Sequence, residues 1–514
     1  MKNYYRKKKT RNNRFFAIAL FFSLTGYLFA QSITDDFSAT GSDRLVRAIG
    51  TQRSLLGDEK SQLSYFENVF ETRIAYRTNW QVGVRSSYFI PSYWGERKVG
   101  WDSFNKYWLQ YSNDWMTVQT GSIYTIWGRG STLALQEDMD QGLDAGINGG
   151  MLRLAKGAWK LEAVDGTLRN DPGGFTHTNQ LYGANLEYQK NNAQIGANYL
   201  KIPAKSYLDQ SLQGGYAGYQ HTINSIGSVS GWLEGSWQKL AIENNIKHRG
   251  VFGSLDFARK GFSIVLDYKD YQYNEEYGNI LPFQSPPIVQ RDLISKLMST
   301  HPHLIRYNDE IGWQAEATYR PIRPLGFVLY TAQSSVHHGS PMPSLEQKYS
   351  PNTESMLEST YRYSHEGNIR VQLSTKQEAI WNDVAGIPQT WSQRTGYLLG
   401  WQTPLIYHFT LDAEAERMLT HDKVLNTDIT DSYLSGTISY PGYGSLALSY
   451  DRTTDKTEPG GQNWFSMELT IPLKSNLQAT FFGGQERGGI KCSSGRCRQV
   501  NPFEGVRTGV EATF

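Results

Sequence analysis

Beyond residue 29 the chain has no apolar run approaching the roughly 20 residues that a membrane-spanning helix needs. Any crossing of a bilayer must therefore be made by strands. Cysteine is almost missing, with only Cys492 and Cys497 in 514 residues, and a metal site built on them would need other ligands. There is no Gly-x-Ser-x-Gly elbow, no phosphate-cradling glycine loop and no HExxH. Adjacent or alternate acids such as Glu275–Glu276 and Glu414–Glu416 suit a solvated loop or a lumen better than an acid/base pair. A hydrolase whose residues came from separate strand ends would leave no local motif, but the expectation is that the protein is not an enzyme. No cofactor is expected.

The first 14 residues carry seven basic side chains and no acid, Phe15 to Phe29 is apolar, and Ala30 precedes Gln31. A basic stretch, a short apolar stretch and a small residue make an export signal. Cleavage is expected after Ala30, leaving 31–43 as a loose periplasmic lead and 44–514 as the folded domain. Without the signal, 44 basic residues face 49 acidic ones, a net charge of −5. The basic balance belongs to the signal, so no nucleic-acid partner is expected.

What the chain has in quantity is tyrosine, tryptophan and glycine, at 32, 14 and 49 residues. Tyr and Trp suit a membrane–water interface, being apolar at one end and polar at the other. Apolar and polar residues alternate over many short stretches. Val506, Val510 and Phe514 share a face with Thr508 and Ala512, opposite Arg507, Glu511 and Thr513. Ile369, Val371 and Leu373 oppose Arg370, Gln372 and Lys376, and Leu405 to Ala415 oppose His408 to Glu416. Phe70, Ile74 and Tyr76 oppose Glu71, Arg73 and Arg77, and Phe465 to Ile471 oppose Glu468. Side chains alternate across a strand. Charges at every second position would be costly in a dry core, and a polar lumen accepts them.

Tight turns are expected at Thr78–Asn79, Asn113–Asp114, Lys156–Gly157, Asn191–Asn192, Lys260–Gly261, Arg320–Pro324, Glu366–Gly367, Thr403–Pro404, Pro441–Gly442 and Lys474–Asn476. Longer polar links fall between them, at 90–103, 125–147, 166–179, 274–308, 335–353, 378–391, 418–428, 453–461 and 486–502. Short turns on one side and long loops on the other are the asymmetry of an outer-membrane barrel. The expected fold is one all-β, antiparallel transmembrane β-barrel of 22 to 24 strands, located in the outer membrane of a Gram-negative-type bacterium. The upper number needs extra strands near Gly214–Thr222 and Arg44–Thr51. Phe514 would end the last strand at the periplasmic rim and act as an assembly signal.

Three stretches carry a resemblance. They are Gly121-Ser-Ile-Tyr124 through Trp127-Gly-Arg-Gly130 to Asp144 and Gly149; Pro286-Pro287 through His303 to Asp309-Glu-Ile-Gly312; and Gln485 through Cys492-Ser-Ser-Gly-Arg-Cys497 to Gly505-Val-Arg507. Together they resemble an uncharacterised outer-membrane family, the domain of unknown function 6029. The resemblance implies a β-barrel over nearly the whole mature chain and implies no activity.

The first stretch is the leading candidate for a loop folded into the lumen. Arg129 with Glu137, Asp138, Asp140 and Asp144 would form a constriction or plug; part of a calcium loop and an ordinary polar loop are the alternatives. A helix is expected in 274–308, capped by Ser285, started by Pro286 and Pro287, and apolar along Val289, Leu293 and Leu297. It would be a lid, a plug or a rim element. His301, His303, His337 and His338 lie on neighbouring loops without a third ligand type placed by spacing, so no metal site is expected. Cys492 and Cys497 are expected to form a disulfide in the oxidising exported location.

The expected lumen ladder comprises Arg73, Arg77, Arg85, Glu187, Asp256, Asp267, Lys269, Glu358, Arg362, Arg370, Lys376, Glu414, Glu416, Glu468, Arg507 and Glu511. Its mixed signs argue against a strongly ion-selective pore. The expected function is a porin-like or gated passage for a solute. A plugged barrel using its external loops for adhesion or assembly is the alternative, and a soluble exported all-β binding protein is a weaker one. Expected partners are membrane lipid, the barrel-assembly machinery and a small solute or external protein or glycan.

Overall fold

The computed structural model describes residues 36–53, 60–90, 100–138, 143–169, 180–203, 210–223, 227–240, 248–273, 283–291, 293–382, 387–458, 460–493 and 496–514. The expected export signal and the start of the expected lead lie outside these residues. Twenty-four strands form one antiparallel sheet. In chain order they are β1 Phe37–Arg53, β2 Lys60–Tyr76, β3 Trp80–Ile90, β4 Gly100–Ser112, β5 Met116–Ile123, β6 Ile147–Lys156, β7 Trp159–Leu168 and β8 Gln180–Lys190. Then follow β9 Ala193–Ile202, β10 Gln210–Ile223, β11 Gly227–Leu240, β12 His248–Arg259, β13 Phe262–Gln272, β14 Glu310–Ile322, β15 Leu325–Ser335 and β16 Asn352–Arg362. The last are β17 Asn368–Asn382, β18 Ile387–Pro404, β19 Thr410–Asp422, β20 Thr427–Tyr440, β21 Gly444–Thr453, β22 Asn463–Lys474, β23 Leu477–Glu486 and β24 Phe503–Thr513. Each pairs with the next, and β24 pairs back onto β1 from Phe503↔Gln52 to Thr513↔Ser42, which closes the barrel. Among the described residues no helix is long and apolar enough to cross a membrane.

The barrel is apolar outside and polar inside. Leu233 is 60% exposed while its neighbour Glu234 is 3% exposed, and Leu357 at 48% precedes Glu358 at 8%. A soluble sheet would hide the leucines. Here they form the surface that lipid covers, because successive side chains on a strand face opposite ways. Aromatic residues collect where the strands meet the short turns, in cross-strand pairs such as Trp80–Tyr111, Trp159–Tyr188 and Phe409–Tyr440, with ring centroids 4.6–4.9 Å apart along with Phe37–Tyr76. This ring of amphipathic side chains suits the headgroup level.

Both strands needed for the upper count are present, as β1 and β10. β1 starts at Phe37, so Phe37–Asp43 belong to the wall and the lead is shorter than expected. All ten expected turns lie on the rim that also holds Phe37 and Phe514. At Thr403–Pro404 the reversal sits slightly later: Pro404 pairs with Thr410, and Leu405–Phe409 make the turn, not the strand. Tyr407 and His408 there adopt left-handed φ values of 56° and 65°. Two links expected to be long are short, since β17 and β18 leave only 383–386 between them and β19 and β20 only 423–426.

Candidate functional site: two loops held in the lumen

After β5 the chain turns inward, and residues 124–138 and 143–146 pack on the wall. Two short ribbons shape it, Thr125–Ile126 with Ala134–Leu135 and Glu137–Asp138 with Leu143–Asp144. Trp127, Leu133 and Leu135 are buried against Met151, Val164, Leu181, Leu200 and Leu212 from β6 to β10. The inner wall therefore has an apolar patch of its own, and burying it contributes hydrophobic stabilisation as any core does.

The polar contacts are made to inward-facing carboxylates. Glu234 accepts the backbone N–H groups of Arg129 at 2.7 Å and Ser131 at 3.0 Å, and the indole N–H of Trp232 at 3.2 Å. Glu162 accepts the Trp127 indole at 2.7 Å and the Thr125 hydroxyl at 2.6 Å, and also pairs with Arg153. Gly128 lies at φ 58°, and a side chain there would strike Glu234 and Tyr216. Only glycine permits this approach.

The acids of the loop are held together, and Arg129 is held apart from them. Glu137 and Asp144 are opposite each other in the second ribbon. Glu137 meets Arg85, at 2.7 Å, and Lys106; Asp144 meets Arg169 at 3.2 Å and accepts the Tyr124 hydroxyl at 2.9 Å. The Arg129 guanidinium instead lies over the rings of Trp232 and Phe252, 5.2 and 5.3 Å from their centroids. Asp138 is partly buried in the same ribbon, and Asp140 lies outside the described residues. Among the described residues no group of three or more His, Cys, Asp or Glu is arranged to hold a metal ion.

Residues 283–291 and 293–309 also lie in the lumen, but not as the expected helix. Among the described residues of this segment the α-helix is a single turn, Lys296–Ser299, capped by Ser295 rather than Ser285. Residues 283–291 have no helical structure, because each of the two prolines disfavours helical backbone in the residue before it. Ser285 N–H donates to Gly130 O at 3.1 Å, and Ala134 N–H to Phe283 O at 2.7 Å, so the two inserted loops bond to each other. Val289, Leu293 and Leu297 are buried all the same; Leu293 and Leu297 pack with Met298 on Tyr330, Met356 and Met418 of the wall.

Glu416 holds this second loop as Glu234 holds the first. It accepts the Ser295 hydroxyl at 2.7 Å and the N–H groups of Lys296 at 2.8 Å and Leu297 at 2.9 Å. Beyond the helical turn, His303 lies between Glu378, at 2.8 Å, and Glu310, at 3.2 Å, and Lys376 donates to the His301 carbonyl at 2.6 Å. Burial works against a charge on His303, but Glu310 and Glu378 outweigh it and raise its pKa. In the next loop His337 bonds Asp309 at 2.6 Å and Asp270 at 3.0 Å, while His338 stacks on Tyr349. The four histidines are thus dispersed.

The ladder residues divide by what covers them. Lys269, bonded to Glu310, is buried, as are Glu358, Lys376 and Glu416; Lys376 and Glu416 hold the second loop. Arg85, Glu187, Asp256, Asp267, Arg370 with Glu414, and Arg507 with Glu486 are partly covered inward-facing groups with a polar partner each. Arg73, Arg362, Glu468 and Glu511 lie on the same face and are exposed, towards the short-turn end of the lumen. Arg77 is not in the ladder. It occupies the β2–β3 turn at φ 50° and pairs with Asp36 at 3.5 Å, because β2 stops one residue earlier. Glu162, Glu234 and Lys106 were absent from the expected set although the same alternation places them inward. Cys492 and Cys497 are opposite each other in a two-stranded ribbon, Gly489–Ser493 with Arg496–Val500.

No family model and no curated protein sequence matches the chain. Among solved structures it is similar to the outer membrane protein opdK of Pseudomonas aeruginosa, at 10% identity and a TM-score of 0.40, over 74% of this chain and 98% of that one. A BenF-like porin of Pseudomonas fluorescens Pf-5 gives 12% identity and 0.40, over 76% and 99%. The siderophore receptor PirA of Pseudomonas aeruginosa gives 9% and 0.44, over 94% and 81%. At these values nothing of their chemistry transfers.

Proposed function

We propose that the protein is a gated outer-membrane passage whose gate is the pair of inserted loops. The observation that carries this reading is the matched use of Glu234 and Glu416. Each is an inward carboxylate on the barrel wall, and each holds one loop through hydrogen bonds to its backbone. Charge-assisted bonds of this kind are stronger than neutral ones, yet they are few and local. A small shift in the loops would release them without disturbing the strand ladder. The open, mixed-charge short-turn half of the lumen fits a passage that begins or ends beneath the gate.

The reading includes export by the N-terminal signal, insertion by the barrel-assembly machinery and a Gram-negative outer membrane as the location. The test is single-channel recording in planar bilayers. Wild-type protein should conduct little, and Glu416→Ala should raise the open probability or the unit conductance. A folded, heat-modifiable Glu416→Ala protein that still does not conduct would favour the platform reading.

A further inference from the structure

On the short-turn side of the first loop the inner wall encloses a cleft of about 410 Å3. Its ceiling is the underside of that loop, where Ile126 is 51% exposed beside the buried Trp127. Trp115, in the β4–β5 turn, stands at its lip. Two rungs of the lumen face form its wall. Arg153, Glu162 and Asn185 lie side by side in register across β6, β7 and β8. Below them Lys160 lies opposite Glu187, with Gln194 on β9 bonded to Glu187.

Every charge on these two rungs is matched; Asp114, in the β4–β5 turn, is the one lining charge outside them. Arg153 pairs with Glu162, Lys160 with Glu187 at 3.0 Å, and Glu187 also accepts from Gln194 at 2.8 Å and from the Tyr216 hydroxyl at 2.9 Å. On the rungs, a charged ligand would meet a like charge wherever it met an opposite one. Across each rung a cationic donor stands beside a carboxylate acceptor and then an amide that does both. Hydroxyl groups, which donate and accept, suit that alternation; the exposed face of Ile126 and the indole of Trp115 suit a sugar's C–H face. The volume falls in the range of small-molecule sites, about 300–1,000 Å3.

We infer that this cleft binds a neutral polyhydroxylated solute, a mono- or disaccharide, on the short-turn side of the gate. That the sugar is also the cargo rests on the passage reading; binding in the cleft does not.

The test is calorimetry on the full-length protein in detergent, with maltose as probe and glucosamine and gluconate as charged comparisons. Saturable maltose binding, at least about tenfold tighter than either charged sugar, is expected. Asn185→Ala and Gln194→Ala should each weaken it about tenfold, while Leu186→Ala, on the lipid face of the same strand, should leave it unchanged. Heat-shifted migration on gels verifies that each variant is folded. No saturable maltose binding, equal binding of gluconate, or unaltered binding in both lumen variants would overturn the proposal. A protein that binds maltose but never conducts would remove the passage and leave the site; one that conducts and ignores sugars would do the reverse.

Discussion

Gly41 and Phe514 exchange both of their backbone hydrogen bonds, Gly41 N–H to Phe514 O at 2.8 Å and Phe514 N–H to Gly41 O at 3.0 Å. The terminal ring lies over Gly41 and stacks on Phe70 with 6.0 Å between centroids. The last residue thus completes the seam between β24 and β1, in space that a Gly41 side chain would occupy. Phe514→Ser should lose about 2 kcal/mol of burial and ring contact at the seam. Gly41→Val should evict the ring and do similar harm. The measure is the temperature at which the compact gel form converts to the unfolded one, together with the yield of membrane-inserted protein. Wild-type values in both variants would remove the seam role.

The two loop-holding carboxylates make a coupled prediction. Glu416→Ala leaves three donors without their acceptor and should destabilise the second loop by about 3 kcal/mol. Glu234→Ala should act likewise on the first. The loops bond to each other through Ser285 and Gly130, so loosening one weakens the other's support. The double variant should therefore deviate from additivity, as coupled sites do. Hydrogen exchange at 124–146 and 283–299 measures this, and strictly additive protection losses would mean two independent loops.

How much of this was legible beforehand follows from which interactions are local. Strand alternation is a period-two property of neighbours, so β16 could be recognised from Leu357 beside Glu358 with no knowledge of its partners. Turn chemistry is equally local, and Asn191 at φ 52° in the β8–β9 turn is an example. The anchoring of the two inserted loops is not local. Glu234 meets Arg129 across 105 positions and Glu416 meets Ser295 across 121. Applying the alternation without exception would have placed Glu162 and Glu234 inward. It would not have told which of the inward carboxylates hold a loop. The helix expected from Ser285 is absent over 285–291 because tertiary burial and two prolines set an irregular path there, although the spacing of Val289, Leu293 and Leu297 is helical.

His337 gives a pH dependence with a definite sign. Burial opposes its charge, but hydrogen bonds to Asp270 and then Asp309, with their negative charges, raise its pKa to about 9. Asp309 is lowered in turn: burial opposes its charge, and His337 more than compensates. A raised histidine contributes stability that is fully present below its unfolded pKa of about 6.5 and is lost as pH rises through the folded value. The anchorage of segment 336–351 should hold from pH 5 to 7 and loosen by pH 10. Limited proteolysis of the folded barrel across that range checks it. His337→Gln should show loosened cleavage at pH 6 as well, and a cleavage rate that ignores pH in the wild type would refute the linkage.

The register that sets Cys492 opposite Cys497 leads to the last expectation, a disulfide closing the β23–β24 loop. The ring it closes is short, so the chain-entropy gain is about 2 kcal/mol, and it acts on a loop that joins strands already locked by ladder bonds to β22 and β1. Reduction should therefore loosen 487–502 without lowering the melting temperature of the barrel by more than a few degrees. Arg487 gives that loop a second hold, through Asp431 at 2.8 Å and Glu458 at 2.9 Å. Reduction combined with Arg487→Ala should expose the loop to protease far more than either change alone. Thiol titration of the exported, denatured protein is the direct check: no free thiol is expected before reduction and two after, and two free thiols at the start would discard the crosslink.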